Sequence, residues 1–121
     1  MDSNNTRNLT IDLITRYLHA LKTGDFSDSL FTPDVTLFTP FMEAPVTGKE
    51  TVINALKEIS KGVADIKTLR FVIEAEFACA IFEFKNKDGI VVNMCDAYRI
   101  SNGMLAEMRP YFDPRPLIGD G

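Results

Sequence analysis

The sequence predicts an α+β domain in which three leading helices pack into the concave face of a curved, mainly antiparallel sheet. Apolar residues recur at helical spacing in the first half of the chain, and from about residue 66 they alternate with a period of two. One face of the resulting sheet is apolar but for a single carboxylate, and the helices are the only cover available for it. At 121 residues the chain makes one domain with a single sizeable core.

Residues 1–7 are polar and expected to be frayed, with the domain running over 8–115 and a tail over 116–121. From about Asn8, Leu9, Leu13, Ile14, Tyr17, Leu18 and Leu21 recur as on a helix. At 100° per residue Thr10, Leu13, Ile14, Tyr17 and Leu21 share one narrow stripe, while His19 points away to solvent. Tyr17 lies at the centre of that stripe. Gly24 closes the helix, and Asp25 caps a short second one that runs to about Phe31 and stops at Thr32-Pro33.

Val35 to Thr39 reads as a short strand with Val35, Leu37 and Thr39 on one face. Pro40 to Pro45 is an apolar loop containing Phe41 and Met42, either a pocket mouth or a simple core cover. Thr47-Gly48-Lys49-Glu50 reads as a capping box starting a helix to about Ile59, with Val52, Ile53, Leu56 and Ile59 buried. Strands follow over Ile66–Glu74, with Leu69, Phe71 and Ile73 on one face, and over Phe77–Lys85, with Ala78, Ala80, Phe82 and Phe84 on one face.

The closing stretch, Ile90 to Asp113, reads as a hairpin. Parity places Ile90, Val92, Met94, Asp96, Tyr98 and Ile100 on one face, and Met104, Ala106, Met108, Pro110 and Phe112 on another. These apolar sets coincide if Ile100 pairs with Met104 across a three-residue loop, which sets Asp96 opposite Met108. A two-residue Asn102-Gly103 turn would send the sets to opposite sides, so the longer loop is expected. A Lys87-Asp88-Gly89 loop pairs Asn86 with Ile90 and brings Ala80 beside Asp96. Asp96 is then one carboxylate on an apolar surface, costly to bury unless protonated or partnered.

A net charge of -4 and scattered basic residues exclude a nucleic-acid or acidic-membrane binder. No run approaches the roughly 18 apolar residues of a membrane span. The opening MDSNNTRNLT lacks the apolar core of a signal peptide, so the chain is expected to be cytoplasmic. Cys79 and Cys95 have no CxxC spacing and are expected to stay reduced. One histidine and no clustered ligands leave no metal site, no nucleotide or serine-hydrolase motif is present, and no cofactor is expected.

The segments TRYLHALKTGD (15–25), FTPDVTLFTPF (31–41), VTGKETVINAL (46–56) and CDAYRISNGMLAEMRPYFDP (95–114), in this order, resemble the nuclear transport factor 2-like superfamily. The resemblance is to its SnoaL-like and ketosteroid isomerase-like members. It implies a cone-shaped α+β barrel and specifies the reaction poorly, because that fold hosts isomerases, cyclases, hydrolases, dehydratases and non-catalytic binders. The isomerase's oxyanion tyrosine falls at Tyr17 and its protonated aspartic acid at Asp96. Its aspartate base falls at Thr39, which cannot serve as a base near neutral pH. In the patterns resembling WRDYFD of cyclases and epoxide hydrolases, the hydrolase's aspartate falls at Pro110. Asp113 remains, on the opposite face at the strand end, as a surface or turn residue.

The candidate site is thus Tyr17 and Asp96 as a hydrogen-bond donor pair, with Thr39 as a polar contact. Phe41, Met42, Phe82, Met94, Met108 and Phe112 form an adaptable apolar lining. Two function classes remain open: an isomerase- or cyclase-type enzyme acting on a small apolar carbonyl or hydroxyl compound, or a non-catalytic binding or dimerisation domain that has lost its base. Asp96 alone reads equally as a buried acid that holds the fold together. The outer sheet face, with Asn93, Cys95, Arg99, Glu107, Arg109 and Tyr111, suits water or a homodimer partner. Arg109 is expected to pair there with Glu107 or Asp113.

Overall fold

The computed structural model describes residues 3–40 and 43–118. Helix α1 spans Ser3–Thr23, a 3-10 turn Asp28–Leu30, strand β1 Phe31–Leu37, β2 Val46–Thr47 and helix α2 Lys49–Ser60. Strands β3 (Val63–Glu74), β4 (Phe77–Asn86), β5 (Val91–Ser101) and β6 (Met104–Tyr111) follow, then a short helix α3 at Arg115–Ile118. Among the described residues the strands form one open sheet in the order β2-β1-β6-β5-β4-β3, antiparallel except where β1 runs parallel to β6. This is the expected α+β architecture, with helices over one face of a curved sheet that does not close.

Helix α1 begins earlier than its apolar pattern, so residues 3–7, expected to be frayed, are helical. Its stripe buries Leu13, Ile14, Tyr17, Leu18 and Leu21. Gly24 ends it at φ +80°, donating its N–H to the Ala20 carbonyl at 2.7 Å, a left-handed cap that leaves the last turn satisfied. A Cβ there would also meet Ser60 Oγ at 3.2 Å. Gly24→Ala is therefore expected to destabilise the fold by about 1–2 kcal/mol, the left-handed penalty of an L-residue, measured by urea denaturation. The expected second helix is only the 3-10 turn. Ser27, not Asp25, caps it by accepting the Ser29 N–H at 3.3 Å.

The capping box is not formed. Gly48 is the N-cap of α2 at φ 103°, with no side-chain cap. Thr47 lies in β2, its Oγ1 3.4 Å from Thr36 Oγ1. A left-handed backbone at Gly48 lets its N–H reach the Val35 carbonyl at 2.9 Å, tying the helix start to β1. Val52, Ile53 and Leu56 then face the core as predicted.

The register of β5 and β6 differs from the expected one. Ser101 pairs with Met104 across Asn102-Gly103, both at positive φ (53° and 75°), the pattern of a type I′ turn. Ile100 then faces Leu105 while Arg99 faces Glu107, so Ala106 is an extra residue in β6. This bulge restores the parity that the tight turn alone would have broken. It lets Leu105, Ala106 and Met108 all be buried and sets Asp96 opposite Pro110 in place of Met108. A second irregularity, between Thr68 and Arg70 of β3, turns Leu69 out to 50% exposure, away from the face of Phe71 and Ile73. Between β4 and β5 the expected register holds: the Asn86 N–H bonds the Ile90 carbonyl at 2.9 Å, and Ala80 faces Asp96.

On the outer face Glu107 pairs with Arg109 at 3.4 Å and Arg99 at 3.8 Å. The Arg109 guanidinium also lies 3.7 Å over the Phe38 ring. Asp113 is exposed and caps α3, accepting from the Arg115 backbone at 3.0 Å and its guanidinium at 2.7 Å. Cys79 and Cys95 are free and half-buried on this face.

Candidate functional site

Strand parity turns Asp96 inward from the middle of β5, where it is 4% exposed. Tyr98, two residues along on the same face, donates its hydroxyl to Asp96 Oδ2 at 2.8 Å. Tyr17 comes down from α1 and meets Tyr98 edge-on, ring centroids 5.9 Å apart, and Phe31 at 6.2 Å. The tyrosine bonded to Asp96 is therefore Tyr98. The Tyr17 hydroxyl is coupled to Asp96 through its charge.

Burial pushes the Asp96 carboxyl up to about 6, against the opposing pull of the Tyr98 hydroxyl, which favours the anion. Burial first and the Asp96 charge second hold the Tyr17 phenol well above its usual range. Tyr98 is raised in the same way. Both phenols are thus neutral donors at all physiological pH values, whereas Asp96 changes charge close to neutrality. A carboxyl with such a value lies close to the point at which it changes charge, and further desolvation favours its acid form.

Tyr17, Asp96, Thr39, Phe82, Met94 and Phe112 border one apolar cavity of about 90 Å³. Met108 does not. Its side chain is fully buried in the core, on the β6 residue that pairs with Leu37 and Tyr98, because the bulge moved the register. Phe41 and Met42 lie outside the described residues. Pro110 and Thr39, the positions at which the resemblance expects a base, both border the cavity. Sequence reading missed Tyr98 and Leu117 as site residues. Tyr98 was signalled by sharing Asp96's face, two residues away. Leu117 sits in a four-residue turn too short to show periodicity, yet it closes part of the cavity. Among the described residues no group of three His, Cys, Asp or Glu side chains could hold a metal ion. No helix among them is long and apolar enough to cross a membrane.

The open, bulged sheet wrapped over α1 and α2, with one acid in its apolar hollow, is the nuclear transport factor 2-like fold. An NTF2-like protein of unknown function from Cytophaga hutchinsonii ATCC 33406 superposes with a TM-score of 0.74 at 24% identity, covering 91% of this chain and 95% of that one. An NTF2-like protein from Anabaena variabilis ATCC 29413 gives 0.79 at 17% identity, covering 96% and 95%. A candidate SnoaL-like polyketide cyclase from Jannaschia sp. CCS1 gives 0.79 at 13%, covering 92% and 90%. The chain itself belongs to the family described as Domain of unknown function (DUF4904), whose profile matches residues 4–121. A search of the curated proteins finds no match.

Proposed function

We propose that this domain binds a small, uncharged apolar compound bearing a carbonyl or hydroxyl group and moves a proton to or from it, as an isomerase- or cyclase-type enzyme does. The observation that carries this reading is a single carboxyl poised at about 6 in the wall of an otherwise apolar cavity. Catalytic acids and bases work best with values near the operating pH. When a ligand displaces water from the cavity, Asp96 becomes the acid and donates to the ligand oxygen. In the ligand-free state it is the carboxylate, able to accept a proton. Tyr17 supplies a second donor that stays neutral throughout. The three groups divide the work as donor (Tyr17), proton exchanger (Asp96) and tuner (Tyr98). The test is binding of a simple ketone across pH. Affinity is expected to fall as pH rises through about 6, as the acid form of Asp96 is lost, and to become pH-independent in Asp96→Asn. Tyr17→Phe is expected to weaken binding by roughly 1 kcal/mol, one neutral hydrogen bond, without changing the pH midpoint. Unchanged affinity from pH 4 to 8 in the native protein would sink the proposal.

The second reading, a binding domain without turnover, is supported by Thr39 and Pro110, which place no second base in the cavity wall. Thr39→Asp would put one there, and a gain of isomerase activity on a small ketone would favour an ancestral enzyme site over a purpose-built binder.

We also infer a homodimer through the outer sheet face. Val72, Phe77, Val91 and Tyr111 are each more than half exposed on it, apolar side chains that a second copy would cover. Sedimentation equilibrium at micromolar concentration is expected to give twice the chain mass, and a shift to the single mass in Phe77→Glu. A native monomer contradicts the inference.

A further inference from the structure

Cys79 and Cys95 stand half-buried on the outer face of the neighbouring strands β4 and β5. Cys79 pairs with Ala97 and Cys95 with Ile81, so the two cysteines are diagonal neighbours on one face. Their thiols hydrogen-bond to each other. Cys95 titrates above its usual range through burial first, then the charge and hydrogen bond of Cys79, then the charge of Asp96. Residues so placed have Cα atoms about 7–8 Å apart. A disulfide draws its sulfurs to about 2.05 Å and needs backbone movement once the Cα atoms are more than about 7 Å apart. The pair therefore resists bridging, although its sulfurs are in contact. A metal ion bonded in line to both sulfurs, at about 2.3 Å each, holds them about 4.6 Å apart. The diagonal provides that span without bending the ladder.

Among the described residues no third His, Cys, Asp or Glu joins the pair, so zinc, which usually takes four ligands, is not served. Thiolates are soft donors and select Cu(I). Val72 lies opposite Cys79 and Tyr111 opposite Cys95, giving the pair apolar shoulders. In the two rows of the sheet that hold the thiols, the charged residues are Arg70, opposite Ile81, and Arg109, opposite Ala97. A monovalent cation on two thiolates carries a net negative charge, which meets no carboxylate in either row.

We propose that Cys79 and Cys95 form a two-coordinate site for a soft monovalent cation, Cu(I), on the outer sheet face. On binding, both S–H bonds break, two S–Cu bonds form and both protons pass to water. The copper keeps its oxidation state, so no oxidant or reductant is consumed. Both ligands come from one chain, so pairing of two copies through this face leaves one ion per chain. The site is separate from the Asp96 cavity, which lies on the opposite face of β5.

The test is anaerobic titration of the reduced full chain with Cu(I) against bicinchoninate, a coloured Cu(I) chelator, with amide chemical shifts recorded alongside. The chain is expected to withdraw one ion per copy from the chelator, with shifts centred on residues 79–81 and 95–97. Cys79→Ser and Cys95→Ser are each expected to weaken binding by roughly 10²–10⁴-fold, the loss when two linked donors become one. Zn(II) is expected not to compete. Unchanged affinity in either serine variant reduces the site to a single thiol and overturns the proposal. One ion per two chains places the ion between copies and overturns it as well. Zn(II) competing on equal terms contradicts two-coordinate binding. If the serine variants fail to fold, shifts in the native chain that lie away from both cysteines decide against the site. A disulfide formed in air ahead of any copper uptake shows the diagonal to be bridgeable and removes the geometric argument.

Discussion

Asp96→Asn is expected to make the protein more stable near neutral pH. In the folded chain the Asp96 carboxyl titrates at about 6, whereas in the unfolded chain it returns to about 3.9. The folded state therefore holds the proton more tightly. The group's contribution is fully present below about pH 4 and is lost as pH rises through about 6. About two pH units at 1.36 kcal/mol each give a loss on the order of 3 kcal/mol. Asparagine is neutral throughout and its Oδ1 still accepts from Tyr98. The variant should match the native protein near pH 4 and exceed it near pH 7.5 by a large part of that figure, less whatever its amide hydrogens fail to bond. The exposed carboxylates do not mask this. Asp65 and Asp113 are lowered, chiefly by Lys22 and Arg115 respectively, so their contributions fade only below pH 4. Urea melts at pH 4.5 and 7.5 on both proteins check the crossing.

Tyr98→Phe is expected to do the reverse. The substitution keeps the ring against Tyr17 and removes the hydroxyl that bonds the carboxylate at 2.8 Å. A hydrogen bond to a charged group is worth roughly 1.5–3 kcal/mol. Its loss is felt most when Asp96 is ionised. Destabilisation should therefore be about 2–3 kcal/mol at pH 7.5 and nearer 1 kcal/mol at pH 4.5. The Asp96 titration should move above 6, because the Tyr98 bond is the contribution that lowers it. If Tyr98 were only a space-filling core residue, the phenylalanine would cost the same small amount at both pH values.

Much of the fold is legible in the chain because periodicity reports burial directly. The stripe through Leu13, Ile14, Tyr17 and Leu21 and the parity of β4 and β5 place their side chains as predicted. Register is less legible. The Asn102-Gly103 dipeptide does signal a type I′ turn, but it conflicts with the parity of β6 unless one residue is inserted. Nothing in MLAEMRP marks Ala106 as that residue, since Leu105 and Ala106 are both apolar and either could face in. The same holds for Leu69 in β3. At the start of α2, Thr47 offered a cap in sequence, but its backbone is engaged in β2 and its place passes to Gly48.

For the site, parity was enough to isolate Asp96 and to place Tyr98 on its face, but not to choose its partner. Tyr17 and Tyr98 both belong to apolar surfaces. Which of them reaches the carboxylate depends on how α1 crosses the sheet, a tertiary quantity with no local signature. The outcome changes the chemistry. Tyr17 borders the cavity, while Tyr98 bonds the carboxylate and pulls its titration down against the effect of burial. Leu117, at the cavity edge, is positioned by Asp113 capping α3. That cap uses the acid that the sequence pattern had set aside as a surface residue.

The most direct measurement is the titration of the Asp96 carboxyl itself, followed by ¹³C NMR with Asp96→Asn identifying the resonance. A midpoint near 6, rising further in Tyr98→Phe and on addition of a ketone, is the expected result. A midpoint at or below about 4, the value of a solvated aspartate, would mean that the carboxylate is stably ionised in its cavity and cannot exchange a proton near neutral pH.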